Sequence, residues 1–352
     1  MNLDEYKYDG SKKFKISSFD TRAKDLAPEK EVIVEASLLN MKKIEILQDK
    51  LYAQGTDALL VIIQAMDAGG KDSAIKHVLT GVSPQGVEVS NFKPPSAEEL
   101  SHDYLWRCIK RVPERGKIGI FNRSYYEDVL VGRVHKLYKT QNLPERCKTA
   151  NIFDQRYEQI VNFEKYLWEN GIKVVKFFLN ISKDEQKRRF MKRIDEKHKN
   201  WKLSDADTKE RKYWDDYMKA YELAINKTST PYAPWYVVPA DKKWFARYFL
   251  SEVLVDVLNE IDPQYPALTK EKEEMLASCR ESLLEEDSEY VGSQKSASKS
   301  KAKVMTEKSS LSSLEGQTRL VTDNELVAVA GALSVTTDEL LKKRRKKKNK
   351  SL

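Results

Sequence analysis

Residues Ala58 to Ser73 read Ala-Leu-Leu-Val-Ile-Ile-Gln-Ala-Met-Asp-Ala-Gly-Gly-Lys-Asp-Ser, and this stretch decides the fold. Its first half is an unbroken apolar run rich in β-branched residues, which is typical of a strand buried on both faces of a parallel sheet. A loop of small residues follows, and then a helical pattern. Strand, glycine loop, lysine and helix in this order predict a phosphate-binding P-loop, in which backbone N–H groups and the helix N-terminus hold anionic oxygens.

The loop departs from the usual P-loop pattern, G-x-x-x-x-G-K-[ST], at two positions. Ala65 stands at the first glycine position, and Asp72 stands where a metal-binding Ser or Thr is usual. A further carboxylate, Asp67, lies inside the loop, where it would repel a phosphate unless Mg²⁺ lay between them. We therefore expect Asp67, with or without Asp72, to hold a metal ion. The alternative is an ordinary strand-to-helix turn whose aspartate caps the helix.

Further candidate residues follow the third predicted strand, Ile118–Phe121. In open sheets of parallel strands, ligands bind at the carboxyl ends of the strands. Arg123 lies there, and a cation beside a buried strand is costly unless it meets an anion. Glu127 has three interpretations: metal ligand, orienter of an acceptor, or favourable acid in the first turn of a helix. We assign catalysis to Asp67, Lys71 and Arg123. The residues expected to bind phosphate are Ala68, Gly69, Gly70, Lys71, Asp72, Ser73, Lys76, Arg123 and Arg133.

The distribution of charge argues against a nucleic-acid-binding fold. The formal net charge of the 352 residues is +8, but Lys342–Lys350 alone carries eight Lys or Arg and no acid. The rest of the chain is therefore close to neutral. We expect this basic run to be a solvated tail, with weak and salt-dependent binding of polyanions as its alternative role.

The cysteines and the apolar runs indicate the compartment. Cys108, Cys147 and Cys279 show no C-x-x-C spacing, which argues against a disulfide framework or a zinc site and fits a reducing environment. The N-terminus lacks a signal pattern, and no apolar run is long enough to span a membrane. We expect a cytoplasmic protein.

Strands and helices alternate along the chain, which predicts an α/β fold: a parallel sheet with right-handed crossovers, flanked by helices. We expect residues 1–30 to be an arm packed loosely on the core, residues 31–262 to be the P-loop domain, and residues 263–352 to be a flexible extension. Three tryptophans of the predicted domain are expected to be packing residues rather than platforms for base stacking: Trp201, Trp214 and Trp235. The predicted strands are Ala58–Ile63, Val87–Phe92, Ile118–Phe121, Lys173–Leu179 and Trp235–Val238, and the predicted helices include Glu31–Tyr52, Ala97–Lys110, Asn151–Glu169 and Lys242–Ile261.

A charged helix is predicted to begin at Ser182, which has an acid at capping-box spacing three residues later. This helix places Arg189 and Arg193 one turn apart on one face. Arginines so placed suit a helical lid, spanning about residues 182–227, that closes over a reacting group and excludes water. The alternative is an exposed helix face on which the arginines pair with the acids of the following turn, Asp195 and Glu196.

Two motifs, Gln64–Asp72 and Phe121–Leu130, resemble those of the polyphosphate kinase 2 family. Shorter motifs follow in the same order, so the resemblance covers about Lys30 to Ile261 and leaves out the tail. These shorter motifs are Ser83–Gly86, Phe92–Ser96, Pro113–Gly116, Val131–His135, Trp201–Ser204, Trp214–Tyr217 and Thr228–Trp235.

The resemblance implies a P-loop fold like that of thymidylate kinase. It also implies an activity that moves a terminal phosphoryl group between inorganic polyphosphate and a nucleotide, with Mg²⁺ or, in its place, Mn²⁺. By the same resemblance Asp67 would hold the metal, with Glu127 as a second candidate ligand, and Lys71 would grip phosphate. The family also suggests a homo-oligomer. No histidine stands at a recognisable nucleophile–base spacing, which is consistent with direct transfer and no covalent intermediate.

Two positions bear on the acceptor nucleotide. Members that favour nucleoside diphosphates often read Phe-Asp-Arg-Ser, whereas this chain has Asn122 in place of the aspartate and Glu127 where those members often carry asparagine. This combination resembles the branch that phosphorylates AMP as well as ADP. We expect adenine nucleotides as substrates, with guanine nucleotides as a second class. The residues expected to contact the nucleotide or form the lid are Asn122, Glu127, Arg189 and Arg193.

Two other functions are weighed against this one. An ATP-dependent nucleotide kinase on the same fold is disfavoured because Lys71 is not followed by Ser or Thr, whose hydroxyl normally binds Mg²⁺ in ATP-type loops. A non-enzymatic nucleic-acid-binding protein acting through Lys342–Lys350 is disfavoured because the rest of the chain is near neutral and shows no nucleic-acid-binding motif.

Overall fold

The apolar run Ala58–Ala65 forms a strand in which every residue is buried. It pairs in parallel on both sides, with Ile118–Asn122 and with Ile172–Asn180, so it is the central strand that its composition predicts. The structure is a computed structural model that describes residues 3–22 and 30–297, with side chains up to residue 285.

Six strands of the described residues form one sheet in the order β1-β6-β5-β2-β4-β3, in which only β1 runs antiparallel to its neighbour. The strands are β1 Lys7–Tyr8, β2 Ala58–Ala65, β3 Val87–Asn91, β4 Ile118–Asn122, β5 Ile172–Asn180 and β6 Trp235–Pro239. The α-helices are α1 Lys30–Gln54, α2 Lys71–Val78, α3 Ala97–Ser101, α4 Trp106–Ile109, α5 Val131–Val134, α6 Ile152–Glu169, α7 Lys183–Asp195, α8 Asp205–Glu210, α9 Trp214–Thr228, α10 Lys243–Ile261 and α11 Lys270–Ala297. The α/β fold with a parallel sheet is thus confirmed.

The N-terminal arm is an integral part of the core, and the prediction of loose packing is wrong. Phe14 is 1% exposed, and its backbone N–H and C=O both bond the side chain of Asn226. Tyr6 and Tyr8 are buried as well, and Tyr8 belongs to β1, which extends the sheet by pairing with β6. The aromatic residues in this polar stretch are therefore buried because the arm adds a strand to the β6 edge of the sheet and covers that edge.

The helix predicted over Ala97–Lys110 is broken into two short helices. A capping box at Ser96 starts α3, but the backbone at His102 is extended and ends the helix. The side chain of Asp103 then accepts a hydrogen bond from the N–H of Leu105 at 2.9 Å, which begins a new turn before α4. A local Asx-type turn thus competes successfully with helix propagation.

The described residues up to Ala267 form one compact unit, and α11 belongs to a second. The extension predicted to be flexible therefore contains a helix as far as Ala297. The basic run Lys342–Lys350 lies outside the described residues. None of the helices in the described part of the chain is long and apolar enough to cross a membrane.

Candidate active site

The P-loop connects the end of β2 to the start of α2. Ala68 has φ +59° and Gly70, the residue before α2, has φ +101°. A Cβ on Gly69 would lie 2.5 Å from the Cβ of Ala65 and 2.7 Å from the carbonyl oxygen of Met66. The two glycines are therefore required by a left-handed turn and by close backbone approach, which explains the Gly-Gly pair in the sequence.

Lys71 is buried at the first position of α2, and its Nζ donates to the carbonyl oxygen of Ala65 at 3.0 Å. Burial lowers the pKa of this ammonium group, and the nearby Arg123 lowers it further, whereas the carboxylates of Asp67 and Glu127 raise it. An anion in the loop would oppose the effect of burial in the same way, because it favours the charged form.

Arg123 lies between two carboxylates at the carboxyl end of β4. Its Nη2 is 2.8 Å from Oδ1 of Asp67 in the P-loop, and its Nη1 is 3.5 Å from Oε2 of Glu127. The residue has φ +64°, and its N–H donates to the carbonyl oxygen of Ile63 in β2. Its pKa is raised chiefly by Glu127. The structure thus brings together the three residues that we assigned to catalysis, Asp67, Lys71 and Arg123.

Glu127 faces the same centre from a 3₁₀ turn, Tyr125–Asp128, that follows β4. Burial raises the pKa of its carboxyl group, an effect that Arg123 and Lys71 oppose. With its amide nitrogen turned toward Glu127, Gln64 donates to Oε1 of Glu127 at 2.9 Å and accepts from Oγ of Ser124 at 3.1 Å. Sequence reasoning missed Gln64; a polar residue in an otherwise apolar buried strand was the available signal.

Asn122 and Asp72 contact each other at the edge of the loop. Nδ2 of Asn122 donates to Oδ1 of Asp72 at 3.0 Å and also lies 2.7 Å from Oδ1 of Asn91 in β3. The other oxygen of Asp72 is 3.7 Å from Nζ of Lys202. The carboxylate at the usual Ser/Thr position is therefore held by an amide and a lysine in this structure.

The remaining predicted residues divide into two groups. Ala68, Gly69, Gly70 and Ser73 form the loop and the first turn of α2, where Oγ of Ser73 donates to the carbonyl oxygen of Gly70, and Lys76 is exposed on α2. Arg133 contacts the ring of Phe153 and the hydroxyl of Tyr157, and no described contact joins it to the P-loop. Its role in binding phosphate stays a prediction.

The two arginines of α7 have different surroundings, although they lie one turn apart as predicted. Arg189 is buried and bonded to the P-loop backbone. Arg193 is partly exposed, donates to the carbonyl oxygen of Lys202 and lies 3.9 Å from Asp207. Neither arginine is paired with Asp195 or Glu196 in the described ion pairs.

The expectation for the tryptophans is right for two of them. Trp214 and Trp235 are buried, but Trp201 is 78% exposed on the 3₁₀ turn Lys197–Lys202. Its ring N–H donates to the carbonyl oxygen of His198, and the ammonium group of Lys202 lies 4.9 Å from the ring centre. The prediction that Trp201 is a packing residue is wrong within this chain.

A cavity of about 540 Å³ opens beside Arg123 and Glu127. Its volume is in the range of small-molecule sites, and its walls combine apolar side chains with a few charged ones. Sequence reasoning missed this cavity because distant segments build it. Residues that line it include Phe92, Pro95, Leu100, Arg107, Arg123, Glu127, Val131, Gln141, Cys147 and Arg156.

The described residues contain no group of three or more His, Cys, Asp or Glu side chains that could hold a metal ion by themselves. Mg²⁺ does not require such a group, since it usually keeps several waters and binds through one or two carboxylates together with substrate phosphates. Asp67 and Glu127 are two carboxylates that share Arg123 as a neighbour. This donor set fits Mg²⁺ bound together with a phosphate ligand.

Comparisons with known proteins agree on one family. The model of the family polyphosphate kinase 2 (PPK2) matches residues 28–266. An ADP-polyphosphate phosphotransferase of Rhodopseudomonas palustris is 44% identical over 282 residues, which cover 80% of this chain and 98% of that protein. An AMP/ADP-polyphosphate phosphotransferase of Meiothermus ruber is 46% identical over 237 residues, covering 67% of this chain and 85% of that protein.

A solved structure gives the same answer. The crystal structure of polyphosphate kinase 2 from Arthrobacter aurescens TC1 matches with a TM-score of 0.70 at 41% identity, covering 77% of this chain and 94% of that one. The matched region contains the P-loop, the segment after β4 and the charged helix α7, so the motifs and the comparisons coincide. The chain belongs to the polyphosphate kinase 2 family.

Proposed function

We propose that this protein transfers the terminal phosphoryl group of inorganic polyphosphate to AMP and to ADP, and catalyses the reverse reactions. The observation that carries the proposal is the position of Arg123, which contacts Asp67 of the P-loop on one side and lines the cavity on the other. A phosphate donor on the loop and an acceptor in the cavity would meet at this guanidinium group. Two relatives whose names include polyphosphate and ADP support the substrates.

The chain's own residues fit the requirements of phosphoryl transfer. The bond between the terminal phosphorus and its bridging oxygen breaks while an acceptor phosphate oxygen forms a new bond to that phosphorus. Such a reaction needs alignment and neutralised charge rather than covalent help. Lys71 and Arg123 supply positive charge next to the loop, and the burial of Lys71 strengthens the electrostatic effect of its charged form, whereas Arg123 is partly exposed.

Mg²⁺, or Mn²⁺ in its place, is part of the proposal. Asp67 would hold it, with Glu127 as the second carboxylate, and the bound cation would neutralise phosphate charge. Arg123 holds both carboxylates in place through the contacts described above.

Direct transfer is supported by where the histidines lie. No described contact joins a histidine to the residues around the P-loop. The side-chain partners of His77, His102, His135 and His198 are, in that order, Ser37, Trp106, Glu210 and Glu196. His102 lines the cavity but is stacked on the ring of Trp106, and no histidine has a described contact with Asp67, Lys71 or Arg123, which supports transfer without a phosphohistidine intermediate.

The acceptor range follows from the segment after β4. Asn122 and Glu127 resemble the branch that accepts AMP as well as ADP, and Glu127 lines the cavity, whose volume of about 540 Å³ is large enough for a nucleotide. Guanine nucleotides form the second acceptor class in the proposal. We also propose that the protein works in the cytoplasm and that it forms a homo-oligomer. Light scattering after gel filtration would test the oligomeric state.

The test is a paired assay with Mg²⁺ and long-chain polyphosphate, offering AMP in one reaction and ADP in the other. We expect ADP and ATP from AMP, and ATP from ADP, with both activities nearly abolished in Asp67→Asn and in Lys71→Ala. Product from ADP alone would refute the argument from Asn122 and Glu127. Turnover of AMP that appears only with ATP as donor would identify an ordinary nucleotide kinase.

A further inference from the structure

Three successive backbone carbonyl groups of the P-loop accept hydrogen bonds from the helix α7. Nε2 of Gln186 donates to the carbonyl oxygen of Asp67 at 2.9 Å. Nη1 of Arg189 donates to the carbonyl oxygens of Ala68, at 3.0 Å, and Gly69, at 2.9 Å. Gln186 is 1% exposed and Arg189 is 6% exposed, so both contacts are sheltered from water.

These bonds determine where the N–H groups of the loop point. The carbonyl oxygen of one residue and the N–H of the next lie in one rigid peptide plane and point in opposite directions. Fixing the carbonyl groups of Asp67 and Gly69 toward α7 therefore turns the N–H groups of Ala68 and Gly70 away from it. The N–H of Gly69, between them, donates to the carbonyl oxygen of Met66, so Ala68 and Gly70 supply the N–H groups that can contribute to a concave anion-binding nest.

Arg189 has no hydrogen left for a phosphate. A guanidinium group carries five N–H donors. Its Nε donates to Glu185, its Nη1 to the two loop carbonyls, and its Nη2 to the carbonyl oxygens of Ala240 and Asp241 beyond β6. Five donors thus meet five acceptors of the protein itself.

We propose that Gln186 and Arg189 are positioning residues that brace the phosphate loop from behind, and that Arg189 does not contact the transferred group. The N-terminal half of α7 is then a fixed support of the loop, and any lid motion begins after Arg189. The brace itself is independent of the reaction, but its effect on phosphoryl transfer rests on the proposed function.

The chain offers a matched control one residue away. Arg188 also pairs with Glu185, but its side chain is exposed and it donates to no loop carbonyl in the described hydrogen bonds. Arg188→Met and Arg189→Met therefore remove the same charge and the same partner, Glu185, whereas only Arg189→Met also removes the bonds to the loop carbonyls and to Ala240 and Asp241. Gln186→Met removes a brace donor without changing the charge.

The first measurement is amide hydrogen exchange of residues 66–72 in the substrate-free protein. We expect exchange at least about tenfold faster in Arg189→Met and Gln186→Met than in the wild type or Arg188→Met, because local opening becomes easier. Unchanged exchange in both variants would overturn the brace, whatever the substrate of the protein proves to be. If Arg189→Met does not fold, Gln186→Met alone decides.

The second measurement separates a positioning role from a direct phosphate contact. The affinity for long-chain polyphosphate is measured at several salt concentrations. A positioning role weakens binding about 10-fold to 100-fold in Arg189→Met and leaves the slope of log K against log salt unchanged. A direct contact would make the slope shallower by about 0.7 to 0.9, the value for one lost phosphate contact, and would overturn the proposal. Wild-type protein that binds no polyphosphate would instead refute the proposed function.

Discussion

Arg123 lies where the P-loop, the end of β4 and the cavity meet. Its forked guanidinium group allows it to contact two carboxylates at once. Its two terminal nitrogens contact different carboxylates, Asp67 at 2.8 Å and Glu127 at 3.5 Å. A lysine would keep the charge but could not hold two carboxylates in a planar fork. At the scale of one residue, geometry therefore matters more than net charge.

We predict that Arg123→Lys lowers kcat for ATP formation from ADP and polyphosphate by about 100-fold, since one preorganised donor is worth 10²–10³ in rate. Steady-state kinetics at saturating polyphosphate would measure it. Lys173→Arg, a substitution in β5 at a residue paired with Glu260, serves as a control and should leave kcat unchanged. Wild-type kcat in Arg123→Lys would show that charge alone suffices.

The carboxyl group of Glu127 is expected to make the activity depend on pH. Burial raises its pKa above the ordinary value of 4.5, so as pH falls it takes up a proton earlier than an exposed glutamate. If the carboxylate form orients the acceptor and the cation, activity falls on the acid side through this raised pKa. We predict an acid limb in the kcat/KM profile that Glu127→Gln removes, together with a large loss of activity. An unaltered limb in the variant would assign it to another group.

At the scale of elements, a buried network holds the turn after β4 against three other elements. Glu164 of α6 and Lys176 of β5 form a fully buried ion pair with Nζ 2.5 Å from Oε2. The hydroxyl groups of Tyr125 and Tyr126 donate to the other oxygen of Glu164 at 2.9 Å and 2.8 Å. Nζ of Lys176 also donates to the carbonyl oxygen of Thr228 at the end of α9.

We predict that Lys176→Met destabilises the protein by about 3–5 kcal/mol, because it leaves a buried carboxylate without its partner. Urea unfolding would measure the change. The double variant Glu164→Gln with Lys176→Met should recover part of the loss, since the neutral amide still accepts from both tyrosines and no charge remains buried. Additive losses in the double variant would mean that the two residues do not act as a pair.

The packing of the N-terminal arm against the core leads to a second prediction at the scale of elements. Phe14 is buried among Tyr8 and Phe19, with ring centres 5.2 Å and 5.8 Å away. Phe14→Ala should lower the free energy of unfolding by about 3 kcal/mol, which is within the range for buried phenylalanines. The exposed residue Lys13→Ala is the matched control and should cost little. A negligible effect of Phe14→Ala would restore the loosely packed arm.

Elements that are periodic in the sequence were predicted well, and contacts between distant elements were not. Apolar runs located β2, β4, β5 and β6, and the P-loop pattern located Asp67 and Lys71 together. The burial of Arg189, however, depends on carbonyl groups that follow β6, and spacing along α7 contains no information about them. Trp201 illustrates the converse, because the burial of an aromatic ring depends on the packing of another segment.

For the whole molecule, the excess positive charge is divided between the catalytic unit and the C-terminal basic run. Eight of the 62 Lys and Arg residues fall within Lys342–Lys350, and without this run the formal charge of +8 is neutralised. The unit up to Ala267, with 45 Lys or Arg and 40 Asp or Glu residues, is itself weakly basic, and the acidic residues of the segment 268–341 offset this excess. Within the unit, local cations such as Lys71, Lys76 and Arg123 would attract a polyanion to the P-loop. The eight cations of Lys342–Lys350 add to any association that a general positive field drives.

We predict that deletion of residues 342–352 leaves kcat for phosphoryl transfer unchanged, because the P-loop, Arg123 and the cavity are complete without it. Weak binding to RNA or other polyanions should fall, and its salt dependence should become shallower, since up to eight cations are removed. Gel-shift titrations with single-stranded RNA and the ADP assay would be run on the same preparations. A variant in which Lys76→Ala is made in the intact chain provides the comparison, because it should weaken polyphosphate use while leaving RNA binding by the tail in place. Loss of phosphoryl transfer on deletion would mean that the tail takes part in binding the substrate, and the division into a catalytic unit and an accessory tail would have to be abandoned.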